Sequence, residues 1–393
     1  MQPLILAERV NKIKPSPTLA VSAKAASLQA AGQDVIGLGV GEPDFDTPQH
    51  IKEAGIQAIR EGHTKYTAVD GTAPLKQAII NKLARDNALD YQPKQILVSC
   101  GAKHSLFNLF LALLDKNDEV IIPAPYWVSY LDIALLCDAV PIIIEAGIHQ
   151  HYKIIPEQLE TAITPKTKLL VLNSPSNPSG MAYTRAELSG LAAVLVKYPQ
   201  VWIVSDDIYE PILWAEESFS NIFNVCPSLS ERGIVVNGVS KAYAMTGWRI
   251  GYAAGPLPLI AAMAKIQSQN TSNPAAMAQV AAQVALDGDQ QCVGDMCHAF
   301  QRRHTLVFNR LKAMPGFECL PSDGTFYSFP RVQQAMDKLG MASDTDFAEY
   351  LLTQAKVAIV PGSAFGSPGH IRLSFAASEE TLIKALNRIE AVL

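Results

Sequence analysis

GIVVNGVSKAYAMTGWRIGYAAG, Gly233–Gly255, is the stretch on which the reading of the fold turns. It opens with the run IVVNG and closes with IGYAA, two segments short and apolar enough to be strands buried on both faces. Between them the pattern breaks at Ser240 and Lys241, with Arg249 eight residues beyond the lysine. Runs of the same kind recur upstream, ILVS, EVII, VPIII, LLVL and VWIVS, with helical stretches between them. Buried strands separated by helices predict an α/β protein with a largely parallel sheet covered on both faces. Such sheets collect ligands at the carboxyl ends of their strands, and here the polar motifs fall just after the apolar runs. The chemistry is therefore expected in the strand-end loops.

The 393 residues are 49% hydrophobic and 18% charged, enough for a large core and a second lobe. A Pro/Gly-rich segment, Gly37 to Pro48, interrupts the N-terminal region, and a second cluster, PGSAFGSPG, follows the return to helices and short strands near the end. The expected organisation is an N-terminal segment, 1–47, belonging to a small domain, a large domain over 48–290, and the rest of the small domain over 291–393. A net charge of -5 offers no broad basic surface for nucleic acid. The opening MQPLILAERVNKIKPSP lacks a sustained apolar core with a cleavage site, and no run reaches a membrane-spanning length. A cytoplasmic protein without nucleic-acid or membrane partners is expected. Six cysteines lie scattered without CxxC spacing, and Cys292 and Cys297 with His298 and His304 form no recognised ligand pattern, so no metal is expected. Neither GxGxxG in a βαβ setting nor GxxxxGKS is present, which argues against a nucleotide-binding protein.

Lys241 needs a reason for its position. An isolated Ser-Lys pair is ordinarily a solvated loop lysine, but an amine becomes a nucleophile toward aldehydes when burial and nearby cations lower its pKa. Arg249 can supply part of that while binding a phosphate, and Ser240 adds a hydroxyl for the same anion. SKxYAMTGWRxGY resembles the cofactor-lysine signature of the fold-type I aminotransferases, especially the bacterial aspartate aminotransferase subgroup Ib. GEPDFDTP (Gly41–Pro48), KYT…G (Lys65–Gly71), PYWVSY (Pro125–Tyr130), NSPSNPSG (Asn173–Gly180) and SDDIYE (Ser205–Glu210) precede it in that family's order. TSNP, GTFY and PGSAFG…HIRLSFA follow it. The resemblance runs from about Lys14 to the C terminus.

The resemblance implies a fold-type I architecture, with a seven-stranded, mostly parallel sheet in the large domain and a smaller α+β domain. It implies pyridoxal 5'-phosphate held as a Schiff base on Lys241, which also serves as the proton shuttle. The cofactor ring nitrogen needs a carboxylate to stay protonated, and the resemblance gives that part to Asp206; Asp207 stands where the subgroup usually has Glu. Tyr209 and Asn177 resemble the pair that hydrogen-bonds the cofactor's phenolic oxygen, and Trp127 the aromatic that covers its ring. Gly101, Ala102 and Lys103, between a strand and an amphipathic run, offer a helix N-terminus for the phosphate. Tyr66 resembles the tyrosine that reaches the phosphate of a neighbouring subunit, implying a homodimer with shared active sites. Arg372 resembles the clamp on the substrate α-carboxylate, for which a planar guanidinium is suited, and Gly41 the backbone that closes over it. Lys14 and Lys103 both stand open as the cation for a second substrate carboxylate.

Amino acid and 2-oxo acid substrates follow, with aspartate and 2-oxoglutarate placed first. Prephenate, aromatic amino acids, kynurenine and alanine remain alternatives on the same fold, as does a β-lyase. An amino-acid-sensing regulator is a remote one, because no helix-turn-helix or basic surplus precedes GEPDF.

Overall fold

Strand β1 (Ile36–Gly37) is a two-residue pairing segment, and the apolar runs become the longer strands. These are β2 (Ile96–Ser99), β3 (Glu119–Ala124), β4 (Val140–Glu145), β5 (Thr167–Asn173), β6 (Trp202–Asp206), β7 (Gly233–Gly238) and β8 (Gly251–Ala254). Four short strands complete the set: β9 (Tyr327–Ser328), β10 (Val357–Ala358), β11 (Val360–Pro361) and β12 (Ile371–Ser374). The structure is a computed structural model and describes residues 4–393, so the first three residues of the N-terminal segment lie outside it.

The seven longer strands form one sheet in the order β2-β8-β7-β6-β5-β3-β4. β3 to β7 pair in parallel, while β8 is antiparallel to both of its neighbours. β7 reaches β8 through the lysine loop, whose only regular piece is a 3-10 turn at Thr246–Trp248. Without a crossover helix the chain reverses, and an antiparallel pair results. Alternate residues feed two apolar layers: Ile203, Leu170 and Val235 face one, Val204, Val171 and Val236 the other. That two-sided burial is why these strands are nearly continuous Val, Ile and Leu. Winding reverses between β3 and β5, and the carboxyl ends of β5, β6 and β7 point into the resulting crevice, where loose strand-end loops can gather.

The antiparallel trio β11-β12-β9 forms a second sheet, and β1 pairs in parallel with β10. The N-terminal segment is thus hydrogen-bonded to the C-terminal part of the chain. A third apolar cluster, with Phe300, Phe326, Phe347 and Phe375 at its centre, fills the space between this sheet and the helices Gln291–Ala313 and Glu379–Glu390. No helix among the described residues is long and apolar enough to cross a membrane.

Candidate active site

Five strand ends and two strands of the smaller sheet, β9 and β12, converge on a cavity of about 290 Å³. Lys241 lies in its wall, three residues past β7, where the loop that replaces a crossover helix brings the side chain back over the strand ends. Its Nζ donates to the Gly41 carbonyl at 2.5 Å and sits 5.9 Å from the centre of the Tyr209 ring. Burial, followed by the charge of Arg372, lowers its pKa to about 8. The sequence pointed to Arg249 as the neighbouring cation; the structure adds Arg372 as the stronger influence, because folding brings β12 against the cavity.

Asp206 ends β6 and is completely buried. Alternation along the strand sends its side chain to the face of Val204, into the cavity, where Tyr130 Oη donates to Oδ2 at 2.5 Å. Desolvation raises its pKa to about 6, against the opposing hydrogen bonds from Tyr130 and the Ile208 amide. Asp207 points the other way. It accepts from Ser205 Oγ at 2.6 Å and from Asn221 Nδ2, away from the cavity, and burial raises its pKa to about 7. Of the two adjacent carboxyl groups, Asp206 is the one that faces Lys241.

The loop after β2 turns at Gly101, whose φ of +87° favours glycine, and starts the helix Ala102–Leu113. A side chain on Gly101 would collide with the Arg249 guanidinium, so the missing Cβ is also what admits it. Arg249 holds the turn by donating to the Cys100 carbonyl at 3.1 Å. The first N–H groups of a helix have no partner within it, and Ala102 and Lys103 present theirs beside Ser240 and Arg249. This cluster of N–H groups, hydroxyl and guanidinium suits a phosphate. With a nucleophilic amine and a buried carboxyl opposite, it fits a phosphate-bearing aldehyde cofactor.

Arg372 lies in β12, the central strand of the trio, and is 2% exposed. Read alone, an Arg in a short terminal strand suggests an edge charge; its place in mid-sheet shows instead a buried cation facing a cavity. Nη1 donates to Asn177 Oδ1 at 2.8 Å and Nη2 to the Gly39 carbonyl at 2.7 Å, while Nε has no hydrogen-bond partner among the described residues. The guanidinium packs 4.3 Å from the Tyr327 ring centre and 4.9 Å from that of Phe365. A buried arginine with an unused donor can take a carboxylate.

Tyr209 and Asn177 line the same cavity, Tyr209 with its hydroxyl 2.9 Å from that of Tyr327. Trp127 stands edge-on to Tyr130, and Lys103 Nζ lies 4.9 Å over the Trp127 ring, so Lys103 borders the cavity as well as the Gly101 turn. Lys14 is not in this cavity; it lines an adjoining one with Lys103, His104 and Asp132. Tyr66 is also outside, 92% exposed and next to Lys65 and Asn273. Six cavity residues had no role assigned from sequence: Thr18, Tyr130, Asn173, Ile208, Thr246 and Tyr327, of which Asn173, Ile208 and Thr246 lie in motifs quoted for their neighbours. Tyr130 and Tyr327 sit inside quoted motifs, PYWVSY and GTFY, and Tyr130 lies one helical turn past Trp127; Thr18, in the helix Pro17–Ala30, had no such signal. Among the described residues no cluster of His, Cys, Asp or Glu is arranged to hold a metal ion.

A family model described as aminotransferase class I and II matches residues 33–389. The chain is 57% identical to the aspartate/prephenate aminotransferase of Nitrosomonas europaea over 99% of each chain. It is 50% identical to the aspartate aminotransferase of Geobacillus stearothermophilus over 98% of each. Among solved structures, the aspartate aminotransferase from Thermus thermophilus with maleate matches with a TM-score of 0.94 and 42% identity over all of both chains. That from Rhizobium meliloti matches with a TM-score of 0.94 and 47% identity, over 99% of this chain and 98% of the other.

Proposed function

The chain belongs to the class I and II aminotransferases, and from that premise we propose that it moves an amino group between L-aspartate and 2-oxoglutarate, giving oxaloacetate and L-glutamate, with pyridoxal 5'-phosphate anchored on Lys241. The observation that carries this reading is the meeting of three groups in one cavity: an amine with a lowered pKa, a buried carboxyl group and an arginine with an unpaired N–H.

When bound, the cofactor supplies an aldehyde for amine exchange and a protonated ring that draws electrons from the substrate α-carbon. The turn at Gly101, with the N–H groups of Ala102 and Lys103, Ser240 and Arg249, holds its phosphate. Asp206 holds the ring-nitrogen proton, and the cation placed opposite it restores the carboxylate that desolvation disfavours. Asn177 and Tyr209 hydrogen-bond the phenolic oxygen; Asn177 gives its oxygen to Arg372, and no described residue takes its NH2. Trp127 covers the ring. Arg372 binds the α-carboxylate with Gly41 closing beside it, and Lys241 Nζ removes the α-proton, a role served by an amine that titrates near 8. The two half-reactions share these groups in turn, giving ping-pong kinetics.

Between the two candidates for the second substrate carboxylate, Lys103 is favoured because it borders the main cavity and Lys14 does not. Tyr66, exposed in one chain, is assigned to the active site of a partner subunit in a homodimer. The division at 47/48 and 290/291 belongs to the same proposal, supported by the β1–β10 pairing. So does a cytoplasmic location, supported by six unpaired cysteines. Prephenate is the second substrate to test, since a relative named for both acids is 57% identical. Half-reactions of the purified protein with a panel of amino acids, followed by the loss of its visible absorbance, test the assignment. Response to aspartate and glutamate is expected, and no response to either overturns it.

A further inference from the structure

We propose that His104 is a positioning residue for phosphate binding, its neutral ring fixing the Cys100–Gly101 turn and tying it to the loop that carries Tyr66. The inference rests on the reading of that turn as the phosphate site. The Cys100 peptide is gripped from both sides: its carbonyl accepts from Arg249 Nη2 at 3.1 Å, and its N–H donates to His104 Nδ1 at 3.2 Å.

With Nδ1 accepting, the ring proton is on Nε2, which lies 3.2 Å from Asn270 Oδ1. From there the hydrogen bonds continue in one direction. Asn270 Nδ2 donates to Asn108 Oδ1 at 3.1 Å, and Asn108 Nδ2 donates to Gln267 Oε1 at 3.0 Å. Gln267 Nε2 donates to the carbonyls of Val98 at 2.8 Å and Val69 at 2.7 Å. Gln267 is completely buried, and a further bond from Ser99 Oγ at 2.8 Å uses the last of its four hydrogen-bonding positions. The Gln267 end of the chain is buried and fully satisfied, so it holds the end of β2 and the 65–71 loop in fixed relation, and the half-buried His104 and exposed Asn270 extend it to the turn.

The chain has one reversible link. Protonation of His104 places a hydrogen on Nδ1, facing the Cys100 N–H donor against donor, and releases the turn. The charged groups around the ring are Lys103 on its own helix, Arg249 from the lysine loop, and Lys14 and Asp132 across the adjoining cavity; Asn270 faces it from the helix Leu257–Asn270. Three of the four charges are positive and resist protonation. Burial, with Arg249 adding to it, lowers the His104 pKa, so the neutral form dominates at pH 7 and above.

The test titrates cofactor-free full-length protein with pyridoxal phosphate and with pyridoxal, which lacks the phosphate, following visible absorbance from pH 8 to pH 5. At pH 8, His104→Phe is expected to bind pyridoxal phosphate about tenfold more weakly than wild type while its affinity for pyridoxal is unchanged. His104→Asn retains an acceptor near the Cys100 N–H and recovers most of the loss. The ratio of wild-type to His104→Phe affinity, in which titration of the phosphate and of other site groups cancels, falls toward one as His104 protonates. Equal losses for both ligands, or a ratio independent of pH, overturn the inference. If His104→Phe fails to fold, Asn270→Leu, at an exposed position, must show the same phosphate-dependent loss, and unchanged affinity there overturns it. Wild type that binds no pyridoxal phosphate overturns the cofactor assignment itself, whereas wild-type binding with an unaffected variant overturns His104 alone.

Discussion

Lys241 and Lys82 are both taken out of water by the fold, and burial pulls both amines toward lower pKa. Their surroundings differ. Lys82, on the helix Ala73–Asn87, is in contact with the Glu210 carboxylate, bonds Asn87 Oδ1 at 2.7 Å and has Asp86 at 3.8 Å. Burial lowers the Lys82 pKa to about 8 as well, against the charges of Asp86 and Asp207, so the two amines differ not in that value but in the Glu210 carboxylate that lies against Lys82. Lys241 forms no ion pair among the described residues; its Nζ meets a backbone carbonyl and opens on the cavity, where Arg372 and Arg249 work with desolvation against the more distant charges of Glu42 and Asp206. At a pKa of about 8, roughly one amine in ten is neutral at pH 7. Burial alone therefore does not mark a reactive lysine. A buried lysine given a counter-charge is structural, and one left without it is available for chemistry.

Substitutions can break this contrast. Lys241→Ala is expected to lower kcat/KM on the order of 10⁴-fold or more with no loss in urea stability, because it removes a desolvated amine. Lys82→Met leaves Glu210 buried without its cation and is expected to cost about 3–5 kcal/mol in the same urea titration, while the folded fraction keeps its kcat; the double change with Glu210→Leu recovers most of that stability. Substantial loss of kcat in folded Lys82→Met would erase the distinction between the two sites.

Arg372→Lys keeps the charge but loses the planar fork, and a loss of about a hundredfold in kcat/KM is expected, mostly through KM. Smaller again is the effect of His304, buried at 7% exposure with Nε2 accepting from the Ser322 amide. Burial lowers its pKa to about 4. The unfolded chain takes up a proton near the ordinary value of about 6.5, whereas the folded one resists until about 4. Stability contributed by the neutral ring is therefore full above about 6.5 and is lost as pH falls toward 4. His304→Gln keeps an acceptor without the titration and should flatten that part of the acid limb by about 2 kcal/mol, read from melts in the range pH 4–7.

The sheet was legible because its strands are buried on both faces and so appear as unbroken apolar runs between helices. The reversal of β8 was not, since strand direction depends on the path of the lysine loop and leaves no mark on the periodicity of IGYAA. Period-two alternation sends Asp206 and Asp207 to opposite faces, but which face holds the cavity is decided by Tyr130 and Lys241, brought there from other loops. Lys241, Asp206, Asn177 and Arg372 stood out because each lies in a dense motif at or beside a strand end. The roles of Tyr130 and Tyr327 did not, because an aromatic in such a motif is equally at home in the core. Lys14 and Tyr66 depend on geometry that local sequence does not encode: one lies across a second cavity, the other on an exposed loop assigned to a partner chain.

The difference between the two lysines is tested most directly by borohydride reduction of the purified holoenzyme followed by peptide mapping. Fixation of the cofactor on the peptide containing Lys241, with Lys82, Lys103 and Lys14 unlabelled, is the expected result. A label on any other lysine, or none on Lys241, would contradict it.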